Sequence, residues 1–224
     1  AGDSRGPLGG VAGQSLPNWG AVAAKGGRTM LMTNLYTDAD SKQALSDQMS
    51  SLFCPATMAK ASPEPGPMVM GVVLHEAAHN LGPAHEYQVG GKVDRSAFGG
   101  PLASMLEELK AQTAALYFPG RLAERKIIAR EEAERSEVRD VAWGFGHIAS
   151  GMYDAQSNPK PYSQLASIQL GFLESEGTLE WRAEDAAANG VDRGCFELHL
   201  DRWDAAAATL ARQVLEIKAR GDRP

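Results

Sequence analysis

The sequence has few of the features that mark several large classes of protein. Its two cysteines, Cys54 and Cys195, lie far apart and match no metal-binding or redox spacing. Neither a disulfide framework nor a cellular compartment can therefore be inferred from them. No apolar run approaches the roughly 20 residues that a membrane-spanning helix needs. The net charge is -6 and no basic cluster occurs, which argues against nucleic acid as a partner.

The rest of the composition is that of a globular chain. A hydrophobic content of 43% with 22% charged residues predicts a soluble protein with a substantial core. Its compartment, cytoplasm or periplasm, stays unknown at this stage. The 224 residues open on a Gly-rich stretch with no initiating Met or signal peptide, and they close just past a predicted helix. These ends predict a fragment, a processed product or a truncated chain, from which part of a functional site could be missing.

Apolar periodicity and turn residues predict a mainly α chain with a few short strands near the N-terminus. The best strand candidate is residues 28–34, and residues 178–200 are compatible with a short hairpin. Pro119 and Gly120 are expected to end one helix. Helices are predicted over residues 37–53, 67–82, 101–118, 121–152, 163–176 and 201–220.

The most informative feature is an HExxH motif made by His75, Glu76 and His79, which follows the apolar run at residues 67–74. Two histidines four residues apart lie about 40° from each other around a helix, so both can bind one zinc ion. The intervening Glu can take a proton from the attacking water. Burying these three polar side chains in an apolar helix is costly unless a metal satisfies them. The segment therefore predicts a zinc helix.

A catalytic zinc site of this type needs a third protein ligand, and two candidates compete for that role. His85 completes the longer pattern HExxHxxGxxH, the metzincin signature. Glu107 and Glu108 form a pair on the next predicted helix, where a Glu completes His₂Glu sites. A resemblance to metzincins would imply a sheet of several strands before the zinc helix and a Met-containing turn after it. Few strands precede His75 here, and a helix carrying the Glu pair follows.

Three further motifs, in order, give a more specific resemblance. Residues 13–19 (GQSLPNW) are similar to a Gly-x-x-x-Pro-Asn-aromatic motif, and residues 80–83 (NLGP) to the turn after a zinc helix. Residues 107–112 (EELKAQ) are similar to Glu-Glu-x-Lys/Arg-Ala-Asp/Glu. Together these motifs resemble the dipeptidyl peptidase III family of metallopeptidases, including its bacterial relatives. The similarity extends, more weakly, through the final helix.

The resemblance implies a function and a site. It places Zn²⁺ on His75, His79 and Glu108, and it makes Glu76 the general base for hydrolysis of a peptide substrate. It implies that Asn18 binds the substrate backbone and that His147 stabilises the transition state. Gln112 departs from the family, because it stands where an acid usually orients a zinc histidine.

The resemblance also implies an architecture. Residues 1–224 would form a single zincin-like helical lobe, the zinc-bearing catalytic lobe of a larger two-lobed protein. A second lobe or chain would then supply the residues that anchor the N-terminus of the peptide. Two alternatives stay open: a metzincin-type endopeptidase with a His₃ site that uses His85, and a non-catalytic zinc-bound domain that acts as a scaffold or binding module.

Overall fold

The computed structural model of the chain describes residues 13–16, 28–31, 37–83 and 87–222. Most of these residues are helical, so the predicted mainly α fold is confirmed. None of the helices in these ranges is long and apolar enough to cross a membrane. In chain order the helices are α1 (Ala39–Leu52), α2 (Pro55–Met58), α3 (Pro65–Ala78), α4 (Asp94–Phe98), α5 (Gly100–Glu124), α6 (Arg130–Ala149), α7 (Pro161–Ser175) and α8 (Leu200–Arg220).

The strands in the described residues form short antiparallel pairs. The first pair lies near the N-terminus, as expected, but two other pairs lie further along the chain, so strands are not confined to that end. The last pair is the hairpin with which residues 178–200 are compatible. The pairs are β1 (Gly13–Leu16) with β2 (Arg28–Leu31), β3 (Gln88–Val89) with β4 (Lys92–Val93), and β5 (Leu179–Ala186) with β6 (Arg193–Leu198).

Helix α5 is the centre of the fold. Helices α3, α6, α7 and α8 all pack against it, and its buried side chains include Leu106, Leu109 and Leu116. Trp203 of α8 is fully buried, and its indole N–H donates a hydrogen bond to the carbonyl of Leu116 at 3.0 Å. Burial of a large aromatic ring with its polar atom satisfied stabilises such a contact strongly. Helix α5 is therefore fixed in position by its neighbours, and so are the side chains on the face that it turns to α3.

The prediction that Pro119 and Gly120 end this helix is wrong, because α5 continues to Glu124. Both residues are buried inside the helix, and a side chain at residue 120 would collide with the carboxylate of Asp204 on α8. Close packing of α8 on this turn stabilises the helix despite the lost Pro N–H. The chain turns instead at Lys126, where φ is 59°. The long helix predicted over residues 121–152 is therefore divided: residues 121–124 are the end of α5, and α6 begins at Arg130.

Helix α3 lies between α5 and α6, and it begins with Pro65 in its first turn, a position that Pro favours. Gly71 allows α6 to come close, because a Cβ atom there would lie 3.1 Å from Oδ1 of Asp140. The helix ends at Ala78, four residues before the expected stop at Gly82, and His79 is its C-cap with helical backbone angles. The helix predicted from the sequence is thus present, but it is only partly buried, with Val73 40% exposed, and the two histidines lie at its C-terminal end.

A disulfide joins Cys54, just after α1, to Cys195 of β6. The two Cα atoms lie 5.0 Å apart, within the usual range for such a bond. Both cysteines are buried, and Ala187 packs against them. Cysteine spacing could not predict this pairing, because the two positions lie 141 residues apart and only the folded β5–β6 hairpin brings them together.

Replacing both cysteines by alanine is expected to lower the free energy of unfolding by about 2–4 kcal/mol, because the bond closes a long loop in the unfolded chain. Denaturant unfolding of the oxidised wild type and the Cys54→Ala/Cys195→Ala variant measures the difference. Adding a reductant throughout should abolish the difference. Equal stability of the two oxidised proteins would contradict the role of the bond.

Candidate metal centre

Two packed helices bring the candidate ligands together. His75 lies in the last turn of α3, His79 is the residue that caps its C-terminal end, and Glu108 lies in the first half of α5. Because α3 packs along α5, side chains on the facing sides of the two helices meet. His75 is buried and His79 is half-buried.

The donor atoms of these three residues converge on one point. Nε2 of His75 lies 3.2 Å from Oε2 of Glu108, and Nε2 of His79 lies 4.0 Å from the same oxygen. The three side chains offer donor atoms that all lie within 4.8 Å of one another. Donors around a tetrahedral zinc with bonds of about 2.0–2.1 Å are separated by about 3.3 Å. The observed spacing is close to what a small divalent ion requires.

Hydrogen bonds on the far side of each imidazole fix its orientation. Nδ1 of His75 lies 2.9 Å from Oε1 of Gln112, and Nδ1 of His79 lies 2.9 Å from Oε1 of Glu107. Both partner oxygens are acceptors, so each Nδ1 carries the proton in the neutral rings. This leaves the lone pair of each Nε2 directed at the shared point, which is the arrangement that metal-ligating histidines usually show. Gln112 therefore occupies the orienting position that its sequence motif predicts, without adding a charge.

Glu107 holds a buried charge cluster behind the histidines. Besides His79, its carboxylate accepts from the ammonium groups of Lys110, at 3.1 Å, and Lys218 of α8. Both lysines are almost fully buried. Burial acts to raise the pKa of Glu107, but the hydrogen bond from His79 and the charges of the two lysines lower that pKa to about 2. Glu107 is therefore ionised at neutral pH, which strengthens its hold on the His79 ring.

Glu108 and His75 stabilise each other's charged forms. Burial acts to lower the pKa of His75, but the hydrogen bond and charge of Glu108, with the charge of Glu76, raise it above its ordinary value. Burial acts likewise to raise the pKa of Glu108, which His75 and the hydroxyl of Tyr162 hold below its usual range. These contacts hold the Glu108 carboxylate in its ionised form, which is the form that binds a cation.

An aromatic group forms one wall of this site. The ring of Tyr162 lies 6.5 Å from that of His75 and 5.5 Å from that of His147, measured between centroids. Trp143 packs on His147 at 4.3 Å and meets Tyr162 edge-on at 5.9 Å. Burial lowers the pKa of His147, and the charges of Arg139 and Lys160 act in the same direction. His147 is thus favoured in its neutral form near the candidate ligands.

Of the other predicted site residues, the structure describes Glu76 but not Asn18 or His85. Glu76 is buried at the end of α3, and its charge is felt by the His75 ring. Asn18 and His85 lie outside the described residues, so their predicted roles stay predictions. Tyr162 was not among the predicted site residues. Its sequence signal is weak, since it only follows Pro161 at the start of α7, and its contacts depend on how α6 and α7 pack.

A second carboxylate–histidine group occurs on the β5–β6 hairpin, where Glu180, Glu197 and His199 lie close enough to share an ion. Arg182 already pairs with Glu180 at 3.0 Å and with Glu197 at 2.9 Å. The guanidinium balances the two carboxylates, so a metal ion would have to displace it. This group is therefore a surface ion-pair network, as are most such clusters.

The donor atoms of His75, His79 and Glu108 fit zinc. Two imidazole nitrogens and one carboxylate oxygen are ligands that zinc accepts, and a His₂Glu set leaves a fourth position for a water or a substrate. The outer hydrogen bonds to Gln112 and Glu107 are those expected around such ligands. His75, His79 and Glu108 would hold the ion.

Comparisons with known proteins agree with this architecture. No family model matches the chain, and no curated protein matches it. Among solved structures, dipeptidyl peptidase III from Corallococcus sp. strain EGB matches 95% of the chain with a TM-score of 0.76 and 24% identity. The enzyme from Caldithrix abyssi matches 94% with a TM-score of 0.75 and 20% identity. The chain spans 36% and 37% of the length of these two proteins. The resemblance predicted from the motifs is confirmed at the level of the fold: the chain is folded like one part of dipeptidyl peptidase III.

Proposed function

We propose that this chain is the zinc-bearing lobe of a metallopeptidase, with His75, His79 and Glu108 as ligands of Zn²⁺. The observation that carries the proposal is the convergence of both Nε2 atoms on Oε2 of Glu108. The likeness to dipeptidyl peptidase III supports it, because the fold is that of a peptidase. The reaction would be hydrolysis of peptide bonds.

The chain's own residues would divide the work of hydrolysis. Zinc in this site would lower the pKa of water and polarise the scissile carbonyl. Glu76 accepts the proton of the attacking water and passes it to the leaving amine. His147 donates a hydrogen bond to the oxyanion that develops on the carbonyl, an interaction typically worth about 2.7–4 kcal/mol. Asn18 holds the backbone of the peptide.

A second lobe belongs to this proposal. The chain spans little more than a third of the two solved proteins that it resembles, so the remaining part of such a protein would close over the site. Residues that anchor the N-terminus of the peptide would come from that part. A single lobe would be expected to bind zinc but to process peptides poorly until the second lobe is supplied.

The cysteine pair bears on the compartment. Buried disulfides persist in oxidising environments such as the bacterial periplasm and are rare in the cytosol. As between the cytoplasm and the periplasm, the Cys54–Cys195 bond favours the periplasm in this proposal.

Zinc content tests the ligand set. The purified wild type is expected to hold about one zinc per chain by elemental analysis. Glu108→Ala should lose it, since a His₂ pair alone binds zinc weakly, whereas His85→Ala should keep it. Glu124→Ala, an exposed position on the same helix, controls for nonspecific effects of removing a carboxylate.

The other results would distinguish the alternatives. Loss of zinc in His85→Ala with retention in Glu108→Ala would favour the metzincin-type His₃ site. Zinc binding without peptide turnover, even with the second lobe supplied, would favour a non-catalytic scaffold or binding module. Absence of zinc in the wild type would contradict both the ligand set and the peptidase.

A further inference from the structure

Tyr162 makes a direct hydrogen bond to a candidate metal ligand. Its hydroxyl donates to Oε2 of Glu108 at 2.9 Å. This is the same oxygen that lies 3.2 Å from Nε2 of His75 and 4.0 Å from Nε2 of His79. The phenol therefore bonds the carboxylate oxygen that faces the two histidines.

The ring of Tyr162 is 39% exposed, and contacts on its other side restrain its position. It lies in the first turn of α7, just after Pro161, whose fixed φ angle suits that position. The hydroxyl of the next residue, Ser163, donates to the carbonyl of His147 at 2.8 Å, which ties the start of α7 to the end of α6. Trp143 meets the Tyr162 ring edge-on, with an interplanar angle of 83°. The hydroxyl is thus presented to Glu108 from a constrained ring.

Glu108 needs such a partner more than the two histidines do. Each histidine is oriented from behind by a buried residue of α5, namely Gln112 or Glu107. The Glu108 side chain has one more rotatable bond than a histidine and is less buried than either of them, and a free Glu side chain populates many rotamers. Ligating carboxylates are usually hydrogen-bonded for this reason, and loss of the partner typically weakens metal binding.

We propose that Tyr162 is a positioning residue of the metal centre, which holds the Glu108 carboxylate in its metal-binding orientation. This inference rests on the proposed function, because it presupposes that Glu108 is a ligand. It makes the junction of α6 and α7 part of the centre, although no motif marks that junction. Tyr162→Phe removes only the hydroxyl and keeps the ring contacts with Trp143 and His147.

The test compares the purified wild-type chain with Tyr162→Phe and with Tyr153→Phe, an exposed tyrosine outside the site. Zn²⁺ affinity is measured by competition with a chelator, and the visible absorption spectrum of the Co²⁺-loaded chain reports the ligand geometry. Tyr162→Phe is expected to weaken Zn²⁺ binding about 10-fold and to shift the Co²⁺ bands. Its metal-free melting temperature should equal that of the wild type. Tyr153→Phe should change none of these quantities.

The outcomes separate this inference from the proposed function. Wild-type affinity and an unchanged Co²⁺ spectrum in Tyr162→Phe would overturn the positioning role and leave the ligand set standing. An equal fall in the melting temperature of the metal-free and the zinc-loaded variant would also overturn it, since the hydroxyl would then act only on the fold. Failure of the wild type to bind either ion would overturn the proposed function itself, and the inference with it.

Discussion

Replacing Glu107 by alanine is expected to lower the free energy of unfolding of the metal-free chain by about 3–5 kcal/mol. Its carboxylate balances the buried ammonium groups of Lys110 and Lys218 and accepts from His79. Removing one partner of a buried ionic cluster costs much more than removing a surface charge, because the remaining charges are desolvated. Urea unfolding in the presence of a chelator measures the change. Glu124→Ala, on the exposed end of the same helix, should change stability by less than about 0.5 kcal/mol.

The same charge cluster should also make the free energy of unfolding depend on pH. The folded pKa of Glu107 is lowered from 4.5 to about 2, which corresponds to about 3 kcal/mol. A carboxylate with a depressed pKa stabilises the fold above its unfolded pKa, and this contribution is lost as the pH falls through the folded value. The wild type should therefore lose this part of its stability between about pH 4.5 and pH 2, whereas Glu107→Ala should lack that part of the slope.

A second substitution tests the cause. If the cost arises from unbalanced ammonium charge, then adding Lys218→Met to Glu107→Ala should recover part of the lost stability. Additive losses in the double variant would show that the two residues do not act on each other. That result would contradict the charge cluster described here.

Glu76→Gln is expected to lower peptidase activity about 10²–10⁴-fold while zinc content stays at the wild-type level. Glutamine keeps the size of the side chain but cannot accept the proton of the attacking water at neutral pH. Activity is measured by mass spectrometry on unstructured peptides, with the second lobe present, and zinc by elemental analysis. Glu64→Gln, an exposed residue at the start of α3, is the matched control. Wild-type turnover by Glu76→Gln would exclude Glu76 as the general base.

The sequence predicted part of this site because part of it is local. His75 and His79 lie one helical turn apart, so a single helix brings them together. The choice between Glu107 and Glu108 is different, since both flank the apolar face of α5 and periodicity does not separate them. The resemblance favoured Glu108 as the ligand. In the folded chain α8 brings Lys218, 111 residues further along the sequence, into an ion pair with Glu107. Glu107 is therefore already paired with a buried cation.

Other features depended on contacts that no local pattern contains. Tyr162 meets Glu108 only because α7 packs beside α5, and Cys54 meets Cys195 only through the hairpin. Helix α5 continues through Pro119 where α8 packs against it, with Gly120 beside the carboxylate of Asp204. In each case packing between distant parts of the chain determined the structure, and the local sequence either favoured something else or gave no signal.

The bond between Cys54 and Cys195 also determines the covalent topology of the centre. It closes a ring of backbone, and both histidines, the Glu pair and Tyr162 all lie inside that ring. Of the charged cluster around Glu107, Lys218 alone lies outside. A single break in any peptide bond between residues 55 and 194 would open the ring but leave its two arms tethered through sulfur. As long as the bond is oxidised, the candidate ligands stay on one covalent molecule after any single cut in that segment.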